Sequence, residues 1–488
     1  MNDLRKAFIS GVIYTGVAKY AGIFVSIIVT AILARLIDSE DFGIVAIATV
    51  FINFFSILTT VGVTPAIIQN KKLTQKDIEN INSFTVIIAV GLTILYICFV
   101  PFITKLYNQN EQLRIILYLL SFNILFSIIS IVPNALIYKN KLFEFLAIRT
   151  FSIQCVLGII SVTCAYGGLG IYALVINPIG SSFFLLMVSF IKYPIPMSLR
   201  FNINSVKKIL YFTSYQTLFN FIYLLYRNVD QIFVGKNFGL STLGYYEKSY
   251  RLMMLPLDNI SSVLSPILHP LLSEYQTEYL KIWNINKNMI LFLSEFSILI
   301  SVYLFFAASP IIKILYGNQW EASIPIFQIL SLSIWAQMLQ SPVGPILQSL
   351  NKVKYLTIGG CWILLFVLLS IACSWMLQNL NVLYVGIVSS FVLGFFVFQI
   401  YISRVVGFSV FEILHLLMPH FIVAAILFLM FELICIFIRV NNIWHELIMY
   451  TVLLFAYALV LIRIGLMPNV KNIVIKIISK TCNKILCR

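Results

Sequence analysis

Long apolar runs alternate along the chain with short polar breaks. A run of about 20 residues can cross the hydrocarbon core of a bilayer as an α-helix. Helices are favoured in lipid because every backbone N–H and C=O then finds an internal partner. The pattern predicts an all-α integral membrane protein with about 14 transmembrane helices. We place them at residues 8–36, 42–69, 80–106, 112–138, 143–166, 170–192, 207–236, 239–270, 286–313, 322–350, 353–377, 381–404, 412–438 and 443–467.

The breaks between the apolar runs carry residues that begin or end helices. Asp38-Ser39-Glu40-Asp41 offers N-cap side chains for the second helix. Gly167-Gly168 favours a tight turn, and Pro194 and Pro196 prevent the sixth helix from continuing. Because the longest predicted loop outside the termini is 193–206, we expect no extramembrane domain.

Composition excludes soluble classes of protein. Hydrophobic residues make up 60% of the 488 positions and charged residues only 10%, whereas soluble domains carry about 25% charged residues. The net charge of +15 does not indicate a nucleic-acid partner, because Lys and Arg concentrate on alternate short loops. This asymmetry predicts an even number of spans with both termini cytoplasmic. The first apolar stretch lacks a small-residue cleavage site, so we expect a retained helix rather than a signal peptide.

Residues that carry metal or cofactor chemistry are scattered. Most cysteines fall inside apolar runs without the spacing of a zinc knuckle, and the four histidines show no i,i+4 pairing. No Gly-rich phosphate loop or nucleophile constellation stands out in the sequence. We therefore predict no metal, no cofactor and no enzymatic activity.

The two halves of the chain resemble each other. Arg35 aligns with Lys236, Phe42-Gly43 with Leu243-Gly244 and Pro65 with Pro266 at one constant spacing. A second, slightly larger spacing aligns Pro101 with Pro310, Tyr107 with Tyr316 and Pro133 with Pro342. These matches favour a duplicated six-helix unit. Both copies would enter the membrane from the same side, as in parallel transporter repeats related by an axis along the membrane normal.

Two stretches carry a family resemblance. The first stretch contains the motifs Tyr14-Thr-Gly-Val-Ala-Lys-Tyr20, Leu33-Ala-Arg-Leu36, Asp41-Phe-Gly43 and Ala66-Ile-Ile-Gln69. The second stretch contains Arg227-Asn-Val-Asp230, Val234-Gly235, Leu243-Gly-Tyr-Tyr246, Leu255-Pro-Leu257, Pro270-Leu-Leu-Ser273 and Gln276. They resemble Wzx-type polysaccharide (O-antigen) flippases of the multidrug/oligosaccharidyl-lipid/polysaccharide (MOP) exporter superfamily. The sequence departs from this pattern at Ser39, where many relatives have Pro, and at Glu247-Lys248, where an apolar residue is usual before the Tyr.

The resemblance implies two six-helix lobes as a parallel internal repeat plus two C-terminal helices, in the bacterial inner membrane. It also implies flipping of undecaprenyl-pyrophosphate-linked oligosaccharide units, with a polysaccharide polymerase and chain-length proteins as partners. The corresponding domains are an N-terminal lobe (1–192), a cytoplasmic linker (193–206), a C-terminal lobe (207–405), helices 13–14 (406–467) and a basic amphipathic tail (468–488), which suits an anionic lipid surface.

Basic residues inside the predicted spans are candidates for binding a pyrophosphate. An ionisable side chain costs roughly 2.5–3.5 kcal/mol in a span on the insertion scale, so it usually faces the bundle interior or a wet cavity. Arginine pairs two phosphate oxygens at once, and lysine supplies a compact charge. The candidates, expected around a basic cavity between the lobes, are Lys19, Arg149, Arg227, Lys248 and Arg251.

Four acidic residues are predicted to be buried, and each has two interpretations. Asp230, Glu247, Asp258 and Glu295 are candidates for ion coupling, or they neutralise nearby bases. Arg227 and Asp230 are spaced i,i+3 and Glu247 and Arg251 i,i+4, which also suits structural ion pairs. For Glu295, whose helix has no base nearer than Lys287, both interpretations stay open.

Two other functions compete with the flippase. A cation-coupled drug antiporter of the same superfamily would favour an excess of buried acids, whereas bases outnumber acids in these spans. A membrane polysaccharide polymerase or a glycosyltransferase would need a large extramembrane loop or paired acids. The sequence shows neither feature.

Overall fold

The structure is a computed structural model, and it describes residues 2–69, 73–196, 214–273, 275–438 and 442–469. All regular secondary structure in these ranges is helical, which confirms the all-α class. Eleven of the described helices are long and apolar enough to cross a membrane, by length and composition. The prediction of a multi-pass membrane protein is confirmed. The predicted tail at 468–488 lies outside the described residues beyond Asn469.

The chain divides into two compact units, Met1–Glu247 and Lys248–Arg488, here called the N-terminal and C-terminal units. The repeat boundary predicted at 193–206 falls mostly on residues outside the described ranges and stays a prediction. The helices of the N-terminal unit are α1 (Asn2–Leu36), α2 (Ser39–Gln69), α3 (Gln75–Leu106), α4 (Glu111–Ile129), α5 (Ile131–Lys139), α6 (Phe143–Tyr166), α7 (Ile171–Lys192), α8 (Ser214–Phe238) and the first two turns of α9 (Leu240–Ser273).

The C-terminal unit continues α9 and adds shorter pieces between its long helices. Its other helices are α10 (Tyr279–Phe306), α11 (Ala308–Leu315), α12 (Ser323–Ser331), α13 (Ile334–Gln340), α14 (Val343–Ser349), α15 (Val353–Leu377), α16 (Leu380–Val406), α17 (Phe411–Phe437) and α18 (Ile443–Ile464), with a 3-10 turn at Asn318–Trp320.

Three predicted helices are interrupted in the structure. The helix expected at 112–138 breaks at Ser130, the one at 286–313 at Ala307, and the one at 322–350 into three pieces. Pro133 and Pro310 follow the first two breaks, and Pro342 lies in the break between Gln340 and Val343; the break at Leu332 and Ser333 is followed by Ile334 instead. Because proline has no N–H to donate to the preceding turn, it weakens the helical ladder at these points. The expectation of one continuous helix was wrong at these three places.

Local capping sets several helix ends. The Thr74 hydroxyl accepts a hydrogen bond from the N–H of Asp77, and the Asp77 carboxylate accepts one from the N–H of Thr74, so that α3 starts with a capping box. The Asn110 side chain caps α4 by accepting from the N–H of Leu113. Gly465 ends α18 with a φ of 86°, in the left-handed region that glycine enters without steric cost.

Two glycines let helices of the N-terminal unit cross at backbone contact. A Cβ added to Gly43 of α2 would lie 1.8 Å from the carbonyl oxygen of Leu240, and one added to Gly244 of α9 would lie 1.9 Å from that of Ser39. The hydroxyls of Ser39 and Ser241 are 2.7 Å apart at the same crossing. The contact is reciprocal, and it joins the two glycines that align in the sequence repeat.

Tyr107 fixes the turn after α3 against α8. Its hydroxyl donates to the carbonyl of Ile232 at 3.2 Å, and its ring would lie 3.2 Å from a Cβ added to Gly235. Burial raises the pKa of the Tyr107 hydroxyl. The group therefore stays protonated at physiological pH and keeps donating this hydrogen bond.

Aromatic side chains pack the last two helices against α10. The Phe306 ring lies 4.9 Å from that of Phe428 and 5.2 Å from that of Phe431, measured between centroids. The ring of Tyr450 in α18 lies 5.3 Å from Phe431. This cluster anchors α17 and α18 inside the C-terminal unit.

Candidate functional site

Arg149 is a buried base held by neutral partners in the N-terminal unit. It lies on α6 with 7% of its surface exposed. Its Nη1 donates to the Asn134 Oδ1 at 2.9 Å and to the Ser189 Oγ at 2.6 Å. The Nε has no hydrogen-bond partner in the described part of the chain. Because both of these partners are uncharged, they orient the guanidinium without neutralising it.

A second base lies close to Arg149. The guanidinium carbon of Arg149 is 5.9 Å from the centroid of the Phe145 ring, and the Lys192 Nζ is 5.5 Å from the same centroid. Cations interact favourably with an aromatic face at these distances. The ends of α6 and α7 therefore place two positive charges around one ring, a cluster that we call the Arg149 site.

Arg227 and Asp230 lie one turn apart on α8, as the sequence spacing predicts. The guanidinium of Arg227 is 5.4 Å from the centroid of the Tyr223 ring and 5.9 Å from that of Tyr226. The Asp230 carboxylate is buried and accepts hydrogen bonds from the Tyr246 hydroxyl and from the N–H of Gln231. Arg227 also acts on it electrostatically. This geometry agrees with the structural interpretation of Asp230.

The remaining predicted bases divide between the units. Lys19 on α1 is half-buried in the N-terminal unit. In the C-terminal unit Lys248 is buried and Arg251 is exposed, both on α9. The structure describes the two groups separately, each within its own unit. A single cluster of all five bases stays a prediction.

Two of the acids on α9 differ in exposure. Glu247 is half-buried, whereas Asp258 is exposed. The expectation that Asp258 is buried was wrong, since its side chain is exposed on α9. Hydropathy alone does not distinguish the two faces.

Glu295 is buried in the middle of α10, with 1% of its surface exposed. Its Oε1 accepts hydrogen bonds from the backbone N–H of Asn469 at 3.1 Å and from the Asn469 Nδ2 at 2.7 Å. His420 of α17 lines the same small cavity. The sequence pattern indicated the acid but neither of these two neighbours.

Several residues of both sites carry no sequence signal. Asn134, Ser189 and Asn469 are ordinary polar residues near helix ends, and Lys192 is the last residue of the helix predicted at 170–192. The histidines were considered for metal binding, which depends on i,i+4 spacing, whereas His420 lines a small cavity with Glu295, a residue distant in sequence. Groups of three or more metal-ligating side chains are absent among the described residues.

Comparison with known proteins gives a consistent assignment. The family model described as "Polysaccharide biosynthesis protein" matches residues 32–325. The chain is 24% identical over 343 residues to an uncharacterized membrane protein in the cps region of Klebsiella pneumoniae, covering 66% of this chain and 67% of the relative. It is 22% identical over 360 residues to the lipopolysaccharide biosynthesis protein WzxC of Escherichia coli, covering 72% of each chain.

A solved structure shares the fold. The lipid II flippase MurJ in an inward closed conformation superposes with a TM-score of 0.73 at 13% identity, covering 94% of this chain and 100% of that chain. At this identity the likeness concerns the fold alone, an assembly of many long apolar helices. Because the family model covers more than half of its length, the chain belongs to the polysaccharide biosynthesis protein family.

Proposed function

We propose that this protein flips undecaprenyl-pyrophosphate-linked oligosaccharide units across the cytoplasmic membrane for the synthesis of a surface polysaccharide. Membership of the polysaccharide biosynthesis family supports this assignment, as does the similarity to WzxC. The fold shared with a lipid II flippase is consistent with a lipid-linked substrate. The protein acts as a transporter rather than as an enzyme.

The observation that carries the proposal is the geometry of Arg149. A guanidinium stays charged at any physiological pH, and a charge in a membrane span is costly unless it has a role or a partner. Asn134 and Ser189 hold Arg149 in place and leave its charge for another group. A pyrophosphate supplies the missing negative charge and accepts two parallel N–H bonds from an arginine.

Lys192 extends this site toward a substrate that carries more than one negative charge. Its ammonium shares the Phe145 face with Arg149, so the two cations recognise a doubly charged headgroup better than either does alone. Lys19, Arg227, Lys248 and Arg251 are further proposed contacts on the path of the substrate. Alternating access of the two predicted lobes would move the headgroup across the membrane.

Transfer of a fluorescent undecaprenyl-pyrophosphate oligosaccharide between the leaflets of proteoliposomes tests the proposal. We expect Arg149→Ala to slow transfer by about tenfold to a hundredfold, which corresponds to the roughly 1.5–3 kcal/mol of a hydrogen bond to a charged group. Arg149→Lys should restore part of the rate, because lysine keeps the charge and loses the bidentate geometry. The matched control is Arg114→Ala, which removes an exposed arginine paired with Glu111 at 2.7 Å.

The outcomes separate the site from the function. Equal rates of transfer by wild type, Arg149→Ala and Arg114→Ala would support the flippase function but contradict the proposed role of Arg149 in binding the substrate. A well-folded wild type that transfers no lipid-linked substrate, with efflux of a cationic dye in the same vesicles, would favour the drug antiporter. Turnover of the substrate into a longer glycan would favour the polymerase.

The proposed topology follows from the charge asymmetry of the loops. Both termini lie in the cytoplasm of a bacterial cell, and the lipid-linked unit is delivered to the outer leaflet of the inner membrane. A polysaccharide polymerase and chain-length proteins would take the product there. Accessibility of single cysteines placed at Asn110 and Asn351, in turns on opposite predicted sides of the membrane, tests this orientation.

A further inference from the structure

Helices α15 and α16 pack against each other as an antiparallel hairpin in the C-terminal unit. A Cβ added to Gly359 would lie 2.3 Å from the Phe398 ring, and one added to Gly394 would lie 2.6 Å from the Ile363 side chain. These contacts fix the register of the hairpin, because small residues let two helices approach closely. The start of α15 therefore lies beside the end of α16.

Three aromatic side chains from the two helices meet at this end of the hairpin. The Tyr355 ring lies 5.3 Å from the Tyr401 ring, measured between centroids. The Trp362 Nε1 donates to the Tyr401 hydroxyl oxygen at 3.1 Å. Trp362 is exposed, and the two tyrosines are half-buried. Rings of tryptophan and tyrosine are enriched where a span meets the headgroups of a bilayer, so this cluster suits a position at the membrane surface.

The Tyr401 hydroxyl keeps a proton that it can donate to a ligand. A phenolic hydroxyl both accepts and donates hydrogen bonds, and the N–H of Trp362 occupies it as an acceptor. Among the described residues, none accepts a hydrogen bond from this hydroxyl. The bond from Trp362 therefore orients a donor on the outer side of the hairpin.

Two exposed cations flank the aromatic side chains. Lys354 precedes Tyr355 at the start of α15, and Arg404 lies one turn beyond Tyr401 near the end of α16. Neither cation forms an ion pair within the described part of the chain, and the sequences of both helices lack acidic residues. The end of the hairpin therefore carries positive charge that suits an anionic ligand. We call Lys354, Tyr355, Trp362, Tyr401 and Arg404 the Tyr401 surface.

We propose that the Tyr401 surface binds an anionic phospholipid of the surrounding membrane. The Tyr401 hydroxyl donates to a phosphate oxygen, and Lys354 and Arg404 supply the opposite charge. The acyl chains pack along exposed apolar side chains of both helices, Leu365 and Leu393 among them. In the predicted topology this end of the hairpin meets the inner leaflet, whose anionic lipids attract basic residues. The site does not depend on the substrate proposed above.

Fluorescence quenching of Trp362 by brominated lipids tests the site in the full-length protein. The protein is reconstituted in vesicles that contain brominated phosphatidylglycerol or brominated phosphatidylcholine. The Trp362 signal is the difference from Trp362→Phe in the same background. We expect Trp362 to contact phosphatidylglycerol about tenfold in preference to phosphatidylcholine, because two basic residues favour the anionic headgroup. The double variant Lys354→Gln/Arg404→Gln should remove this preference.

Two further variants separate the site from general surface charge. The matched control Lys76→Gln/Lys141→Gln removes two exposed lysines of the N-terminal unit and should keep the wild-type preference. Tyr401→Phe keeps the ring and removes the donor. It should lower the preference for phosphatidylglycerol over brominated diacylglycerol, which has no phosphate, by about tenfold, because one hydrogen bond to a charged group is lost.

Several results would overturn the proposal. Equal quenching of wild-type Trp362 by the two phospholipids would do so, as would a wild-type preference in Lys354→Gln/Arg404→Gln or its loss in the control. Displacement of phosphatidylglycerol from Trp362 by an equal concentration of undecaprenyl pyrophosphate would assign the surface to the lipid-linked substrate instead. If the double variant does not fold, the single variants decide: each should lower the preference, and two wild-type responses would contradict the site.

Discussion

The Arg149 site and the Glu295 site, which consists of Glu295 and Asn469, each hold an ionisable group of opposite charge inside a membrane span. Each places an ionisable side chain in a membrane span, and each binds it through uncharged groups, Asn134 and Ser189 in one unit and Asn469 in the other. The difference lies in the chemistry of the charge. Arg149 is a permanent cation under physiological conditions, whereas Glu295 is an acid that lines a small cavity together with His420.

This contrast determines which kind of ligand each site suits. A permanent cation is suited to holding an anionic headgroup throughout a transport cycle, because its affinity does not vary with pH. The two sites should therefore lose different amounts of stability when their neutral partners are removed.

The largest effect is expected when the Arg149 site loses an acceptor. Asn134→Leu leaves one guanidinium N–H unpaired at a buried position, which costs about 1.5–3 kcal/mol for a hydrogen bond to a charged group. Thermal unfolding in detergent, followed by tryptophan fluorescence, should show a lower midpoint at every pH. A loss of stability confined to acidic pH would contradict the view of Arg149 as a permanent charge.

A smaller effect is expected at the Glu295 site. Asn469→Ala removes the side-chain donor and keeps the backbone N–H, so we expect a loss near the lower end of the same range, about 1.5 kcal/mol. The loss should be present at neutral pH and should shrink in a Glu295→Gln background, because the charge that strengthens the bond is then absent. A double-mutant cycle measures this coupling; equal losses in both backgrounds would contradict a charge-assisted contact.

The smallest loss of stability is expected for Tyr107→Phe, which serves as an uncharged reference for the other two variants. Tyr107→Phe removes a hydrogen bond between two uncharged groups, the Tyr107 hydroxyl and the Ile232 carbonyl. Such a bond contributes about 0.5–1.5 kcal/mol. The change in unfolding midpoint should be smaller than for Asn134→Leu. It should not vary with pH across the physiological range, because the raised pKa of Tyr107 keeps its hydroxyl protonated. A larger loss of stability for Tyr107→Phe than for Asn134→Leu would show that the charge of the bonded group does not determine the size of these effects.

Much of the fold follows from hydropathy because the thickness of a bilayer fixes the length of a span. The helices predicted at 143–166 and 353–377 are found with these bounds. The glycines at 43 and 244 were recognised as repeat partners, and their structural role is a reciprocal crossing at backbone contact. Local chemistry also set helix ends, as the capping box at Thr74 illustrates. Proline breaks were harder to predict, since prolines also occur inside unbroken helices such as α3 and α17.

The sequence by itself determined that this chain is a helical membrane protein, and it predicted a duplicated design with more bases than acids in the spans. Only the tertiary structure decided which neighbours each charge has. Arg149 meets Ser189 from another helix, and Glu295 meets Asn469 at a separation of 174 positions. Apolar surface does not fix the rotation of a helix in lipid, because lipid tails are as apolar as the helices. Close packing and polar contacts fix it instead, and these depend on residues far apart in the chain.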